Sequence, residues 1–106
     1  MKIAIDLDST ITASRESIEF FEILTHLLIP DPEYRIVIIT DREPNTEQQV
    51  ADELDYLGIE YSEIVITADK ADYIRDNKIT FYFENEDFSF SAEEWIGSKK
   101  TAKVAN

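Results

Sequence analysis

Four short apolar runs recur along the chain: Ile3 to Leu7, Ile36 to Ile39, Ile64 to Ile66 and Phe81 to Phe83. Each is rich in β-branched or aromatic residues, and none alternates cleanly between apolar and polar. Such runs predict strands covered on both faces, as in a parallel sheet. Between them the apolar positions switch to helical spacing. Ile18, Phe21, Leu24 and Leu28 predict an amphipathic helix from about Ser14 to Leu28, stopped by Pro30 and Pro32. Val50, Leu54 and Leu57 give a second helix its buried stripe, with Asn45 as N-cap, Gln48 at the third helical position and Gly58 as terminator. Asp69 caps a shorter third helix that turns Ala71 and Ile74 inward and ends near Asn77. Ser91 and Glu94 form a capping box for a last helix carrying Trp95 and Ile96, and residues from about 98 to 106 read as a frayed tail.

Strand and helix thus alternate four times, which predicts an α/β fold: a three-layer, Rossmann-like parallel sheet with helices on both faces, joined by right-handed crossovers. At 106 residues the chain is expected to form a single domain, 1–106, too short for a separate lid. No internal repeat, low-complexity segment or linker interrupts it.

Charge narrows the partners. The formal net charge is -13, and such a field repels polyanions, so stable binding to long nucleic acid is disfavoured. A small phosphorylated substrate remains compatible, because one divalent cation held by clustered carboxylates reverses the local sign. Cysteine is absent, which removes disulfides and thiolate metal sites and makes a cytoplasmic setting the default expectation. The N-terminal residues lack the charged-then-apolar pattern of a leader, and no run approaches a membrane span; a soluble chain with no membrane partner is expected.

In parallel α/β sheets ligands bind outside the carboxyl ends of the strands. After the first run stand Asp6 and Asp8; after the second, Thr40, Asp41 and Arg42; near the start of the third helix, Lys70; after the fourth, Glu84, Asn85, Glu86 and Asp87. Alternation along a strand places residues i and i+2 on one side, so Asp6 and Asp8 can face one pocket as the chain leaves the sheet. An oxygen-rich cluster of this kind suits a hard cation such as Mg²⁺, and a phosphoryl group can bridge metal, hydroxyl and ammonium.

This arrangement resembles the haloacid dehalogenase superfamily of phosphohydrolases, motif by motif and in order. "DLDST" matches the first motif, Asp-x-Asp-x-Thr; "IVIIT" matches the second, an apolar strand ending in Thr or Ser; Lys70 fits the third; the acids after "FYF" fit the fourth. The match spans roughly residues 2 to 87. The resemblance implies that Asp6 attacks phosphorus and forms an aspartyl-phosphate, while Asp8 protonates the leaving alcohol and then activates water. It implies that Thr40 donates a hydrogen bond to a phosphoryl oxygen and that Lys70 neutralises charge shared by nucleophile and phosphate. Mg²⁺ would bind Asp6, the main-chain carbonyl of Asp8 and an acid of the fourth motif, Glu84 first and Asp87 as a water-mediated supporter, with Glu86 also in reach. The fourth motif departs from the family pattern of paired aspartates, and the segment after Asp8 is too short for an elaborate cap.

The expected function is therefore a capless, Mg²⁺-dependent phosphatase acting on a phosphomonoester. The phrase "ITDREPNTEQQVADELDYLGI" resembles that in superfamily members acting on nucleotides or on phosphorylated polynucleotide ends, which points to a nucleotide-type substrate. Two alternatives remain: a catalytically degenerate member kept as a binding module, and a receiver-like phospho-acceptor. A receiver would carry its acceptor acid after the third strand, where Thr67 and Ala68 stand instead. Arg42 can reach a second substrate group or pair at the surface with Asp41 or Glu43. His26 lies on a leucine-rich helix remote from the strand ends and reads as structural. Phe88, Phe90 and Trp95 have acidic neighbours, which suits core packing or a homodimer face through the aromatic C-terminal region better than base stacking.

Overall fold

In the computed structural model, which describes residues 1–84, four strands form one all-parallel sheet. The strands are β1 (Lys2–Asp6), β2 (Arg35–Thr40), β3 (Glu63–Ile66) and β4 (Phe81–Phe83), and the helices between them are α1 (Arg15–Leu28), α2 (Glu47–Leu57) and α3 (Lys70–Asp76). A single 3₁₀ turn, Ile11–Ala13, precedes α1. The strand order is β3-β2-β1-β4. β1 is therefore central: β2 and β3 lie to one side of it and β4 to the other. The reversal at β1 is where open parallel sheets leave a crevice at their carboxyl edge.

Register follows from burial. Ile3, Ile5 and Leu7 of β1 and its extension join Ile36 and Ile38 of β2, with Phe21 of α1 and Val50 and Leu54 of α2, in one apolar cluster. Ile3 sits opposite Ile36 and Ile5 opposite Ile38, and parallel neighbours in register share a face. A slip of one residue would turn this set to the wrong side. Ala4, Val37 and Ile39 alternate to the opposite face and are also fully buried, so both faces of the central strands are covered. Burying side chains of this size contributes roughly 2 kcal/mol each, which makes the two central strands a rigid base for the residues at their ends.

α1 begins as the spacing predicts. Ser14 is its N-cap: the Ser14 hydroxyl accepts from the Ser17 N–H, and the Ser17 hydroxyl accepts from the Ser14 N–H. Buried Ser17 also donates to the Ile11 carbonyl at 2.8 Å, tying the helix start to the turn that follows the first motif. α2 departs from expectation at its start. Its N-cap is Thr46, not Asn45, because Asn45 adopts a left-handed backbone (φ 67°), which a capping residue in extended geometry cannot share. The Thr46 hydroxyl turns back to the Glu43 carbonyl, and Gln48 bonds Asp52 one helical turn ahead. Gly58 ends α2 in the left-handed conformation expected of it, φ 75°.

α3 is capped by Asp69, whose carboxylate accepts from the Asp72 N–H at 3.0 Å. Ala71 is exposed rather than inward; Tyr73 and Ile74 are the half-buried positions, and the Tyr73 hydroxyl donates to Glu63 of β3. His26 bonds the Gly58 carbonyl at 2.9 Å and so joins the ends of α1 and α2. Its role is structural, as its place on the helix implies. Among the described residues no helix is long and apolar enough to cross a membrane. The expected last helix with Ser91, Glu94 and Trp95, the aromatic pair Phe88 and Phe90, and the tail lie outside the described residues.

Candidate active site

The carboxyl edge of the sheet carries the predicted residues, and the central strand delivers the innermost. Asp6 is the last residue of β1 and is only 4% exposed. The Leu7 N–H continues the ladder to the Ile39 carbonyl at 3.1 Å, after which the chain turns sharply. Ser9 takes a left-handed backbone, φ 62°, and its N–H donates to the Thr12 hydroxyl, while the Thr12 N–H returns to the Leu7 carbonyl. A serine in that conformation stores backbone strain, which concentrates at working sites. The turn holds Asp6 and Asp8 at one mouth.

Asp6 is engaged on both oxygens. Lys70, the first residue of α3, donates from Nζ to Asp6 Oδ1 at 2.7 Å, and the fully buried Thr10 donates to Oδ2 at 3.2 Å. A buried carboxylate needs such partners, since an unpaired one would protonate or destabilise the fold. Burial of the Lys70 ammonium works against its charge, but the hydrogen bond to Asp6 and the charges of Asp6, Asp41 and Glu84 outweigh it. Its pKa is held above the ordinary lysine value. Lys70 is thus a permanent cation beside the buried acid. Glu84, directly after β4, stands on the other side of β1 and is half-buried.

Asp8 lies nearer the rim. Its Oδ2 accepts from the Thr40 hydroxyl at 2.9 Å and from Arg42 Nε at 3.2 Å, and its Oδ1 accepts from Arg42 Nη2 at 2.8 Å. That two-pronged grip is the guanidinium fork matched to a carboxylate. The Arg42 hydrogen bonds, against the opposing effect of burial and with help from Thr40, hold the Asp8 carboxyl below the ordinary aspartate value. Arg42 in turn reaches Glu53 on α2 through Nη1. Its pKa lies above the ordinary arginine value, chiefly through the hydrogen bonds to Asp8 and Glu53.

The structure therefore brings Asp6, Asp8, Thr40, Arg42 and Lys70 together at one edge, with Glu84 on the flank close enough for its charge to act on Lys70. Asp87 and Glu86 lie outside the described residues. Arg42 pairs with neither Asp41 nor Glu43, the partners its sequence neighbourhood suggests; strand pairing puts Asp8, and the placement of α2 puts Glu53, within its reach instead. Thr10 and Glu53 are site residues that were not singled out from the sequence. Thr10 stands inside the first motif, and that position was the signal available for it. Glu53 carried no signal, because its place depends on how α2 packs beside β2.

The donor set is oxygen-only, the chemistry a hard cation prefers. Among the described residues no group of three or more histidine, cysteine, aspartate or glutamate side chains converges to hold a metal ion, so a Mg²⁺ site here needs a main-chain oxygen or an acid beyond residue 84 to complete it. No protein family, curated protein or solved structure matches the chain; the reading of this site stands on its residues and their geometry.

Proposed function

We propose that the protein is a Mg²⁺-dependent phosphomonoester hydrolase of the haloacid dehalogenase type, acting on a nucleotide-type substrate through an aspartyl-phosphate on Asp6. The observation that carries this reading is the pairing of Asp6 with Lys70 at 2.7 Å, two residues from an Asp8 that Thr40 touches at 2.9 Å, all at the carboxyl edge beside the reversal in strand order. A buried carboxylate next to a fixed ammonium suits attack on phosphorus, because the cation offsets charge on both anions as they approach. The all-parallel sheet and the acid after β4 also support this reading.

In this mechanism Asp6 attacks phosphorus, the bond from phosphorus to the leaving oxygen breaks, and Asp8 gives that oxygen a proton. Asp8, now ionised, takes a proton from the water that attacks the aspartyl-phosphate, which frees Asp6 and inorganic phosphate. Lys70 holds Asp6 in line, and Thr40 donates to a phosphoryl oxygen once substrate displaces its bond to Asp8. Asp6, the main-chain carbonyl of Asp8 and Glu84, with Asp87 as supporter, would hold Mg²⁺, which when bound supplies charge neutralisation on the phosphoryl group.

A second reading, a phospho-acceptor or binding module without turnover, draws on one observation: Arg42 and Thr40 hold Asp8 in its ionised form. An acid so held is a weak proton donor until its partners move. Hydrolysis of 4-nitrophenyl phosphate separates the two. The phosphatase reading expects turnover that needs Mg²⁺ and stops with EDTA; Mg²⁺-dependent phosphate binding with no turnover of any phosphomonoester would replace it with the second.

A further inference from the structure

Arg42 differs from the other arginines that form ion pairs among the described residues. Arg15 pairs with Glu19, Arg35 with Glu63, and Arg75 with its neighbours Asp72 and Asp76, all with half or more of the arginine side chain in solvent. Arg42 is 29% exposed, and it spans two elements, gripping both oxygens of Asp8 at the end of β1 and Glu53 on α2. Surface pairs of the first kind contribute little. A fork held from behind by a second acid is a built feature.

The proposed mechanism sets its position along the reaction axis. Given the proposed mechanism, on which this inference rests, attack by Asp6 is in line, so the leaving oxygen departs on the side away from Asp6 and toward Asp8. Lys70 then sits on the nucleophile's side, while Arg42, bound to Asp8, sits on the leaving group's side. The Asp8 carboxylate occupies the fork. An oxyanion on the leaving group fits the same fork, because carboxylate and phosphate both match its paired N–H groups.

We infer that Arg42 is a specificity residue for phosphomonoesters whose leaving alcohol carries a second oxyanion within a few bonds of the ester oxygen, among nucleotides those with a second phosphate on the sugar, and that Glu53 is the positioning residue that keeps the fork at that spot. The second anion takes over the fork from Asp8, and Asp8, freed of the guanidinium, takes up a proton from solvent and turns to the leaving oxygen. Substrate therefore releases the acid it needs. Without a second anion the exchange has no replacement partner, and Arg42 and Asp8 stay together. Within a chain of net charge -13, a doubly anionic substrate depends on such fixed cations at the site itself.

The test compares, in Mg²⁺ buffer, ethyl phosphate with two analogues that add a second anion, phosphoglycolate (carboxylate) and ethylene glycol bisphosphate (phosphate). The expected result is a kcat/KM at least about tenfold higher for one or both analogues, and whichever gains more identifies the anion. Arg42→Gln should bring the ratio close to one, and Glu53→Gln should reduce it, mainly through KM. Binding of propylphosphonate and 3-phosphonopropionate, measured by calorimetry, asks the same question without turnover, and the wild type should bind the latter about tenfold more tightly. A wild-type ratio near one in both assays, or a ratio that survives Arg42→Gln in folded protein, overturns the inference. If none of the phosphate esters is hydrolysed, the phosphatase reading falls, and the phosphonate pair alone decides whether the fork selects a second anion.

Discussion

Asp6 and Asp8 stand two residues apart, yet one has 6% of its side chain in solvent and the other 44%. Asp6 ends a central strand and faces a lysine that arrives from α3, 64 positions along the chain, with Thr10 on its second oxygen. Asp8 meets a hydroxyl and a guanidinium fork, and that fork is itself tethered to α2. The inner acid is held by burial and one cation, an arrangement that suits the nucleophile proposed above. The outer acid is held by partners that a ligand could replace. Both are acid–cation pairs, and the pairing alone does not separate their roles; depth and the number of exchangeable partners do.

That contrast can be broken most severely at Asp6. Replacing it by Asn keeps the shape and removes the proposed nucleophile, so kcat on any substrate the wild type turns over should fall by about 10⁴-fold or more; full activity in Asp6→Asn would remove Asp6 from its proposed role. Lys70→Met comes next. It should lower kcat by about 10² to 10³-fold and, by leaving Asp6 buried with Thr10 alone donating to it among the described side chains, cost about 2 kcal/mol in urea unfolding at neutral pH. A stability unchanged in that variant would show that the Lys70–Asp6 pair does not stabilise the fold.

A pH series sharpens the outer half. The folded pKa of Asp8 lies below its unfolded value, so the unfolded state takes up the proton first. The stability that Asp8 contributes is therefore present above an ordinary aspartate pKa near 4 and is lost as pH falls through the depressed value. Urea midpoints of the wild type and Asp8→Asn should differ most near pH 6 and converge toward pH 3. A gap of constant size would contradict the clamp. The smallest effect is expected at Ser9. Ser9→Gly relieves its left-handed backbone, φ 62°, and should raise stability by about 0.5 kcal/mol; a loss of stability would place the loop in a different conformation.

How much of this could be read before the fold was known varies by residue. Asp6, Asp8, Thr40 and Lys70 were legible because each stands next to a strand end or a helix start, and those boundaries are written in local patterns: β-branched runs, Pro30 and Pro32, the Asp69 cap, Gly58. Asn45 misled because its type favours both capping and the left-handed turn it adopts. Ala71 misled because seven residues of helix give too short a stripe to fix which side turns inward.

Sequence alone determined the element types, the α/β alternation and the gathering of acids, hydroxyl and lysine after the strands, since periodicity, capping and chain reversal act over a few residues. Tertiary structure decided the partners. Arg42 sits beside Asp41 and Glu43 in sequence, but β1 pairs with β2, which sets Asp8 under its fork, and α2 packs alongside to bring Glu53 to its far edge. Ion pairs follow distance in space and the depth of their surroundings, and both are fixed only when the strands take their order.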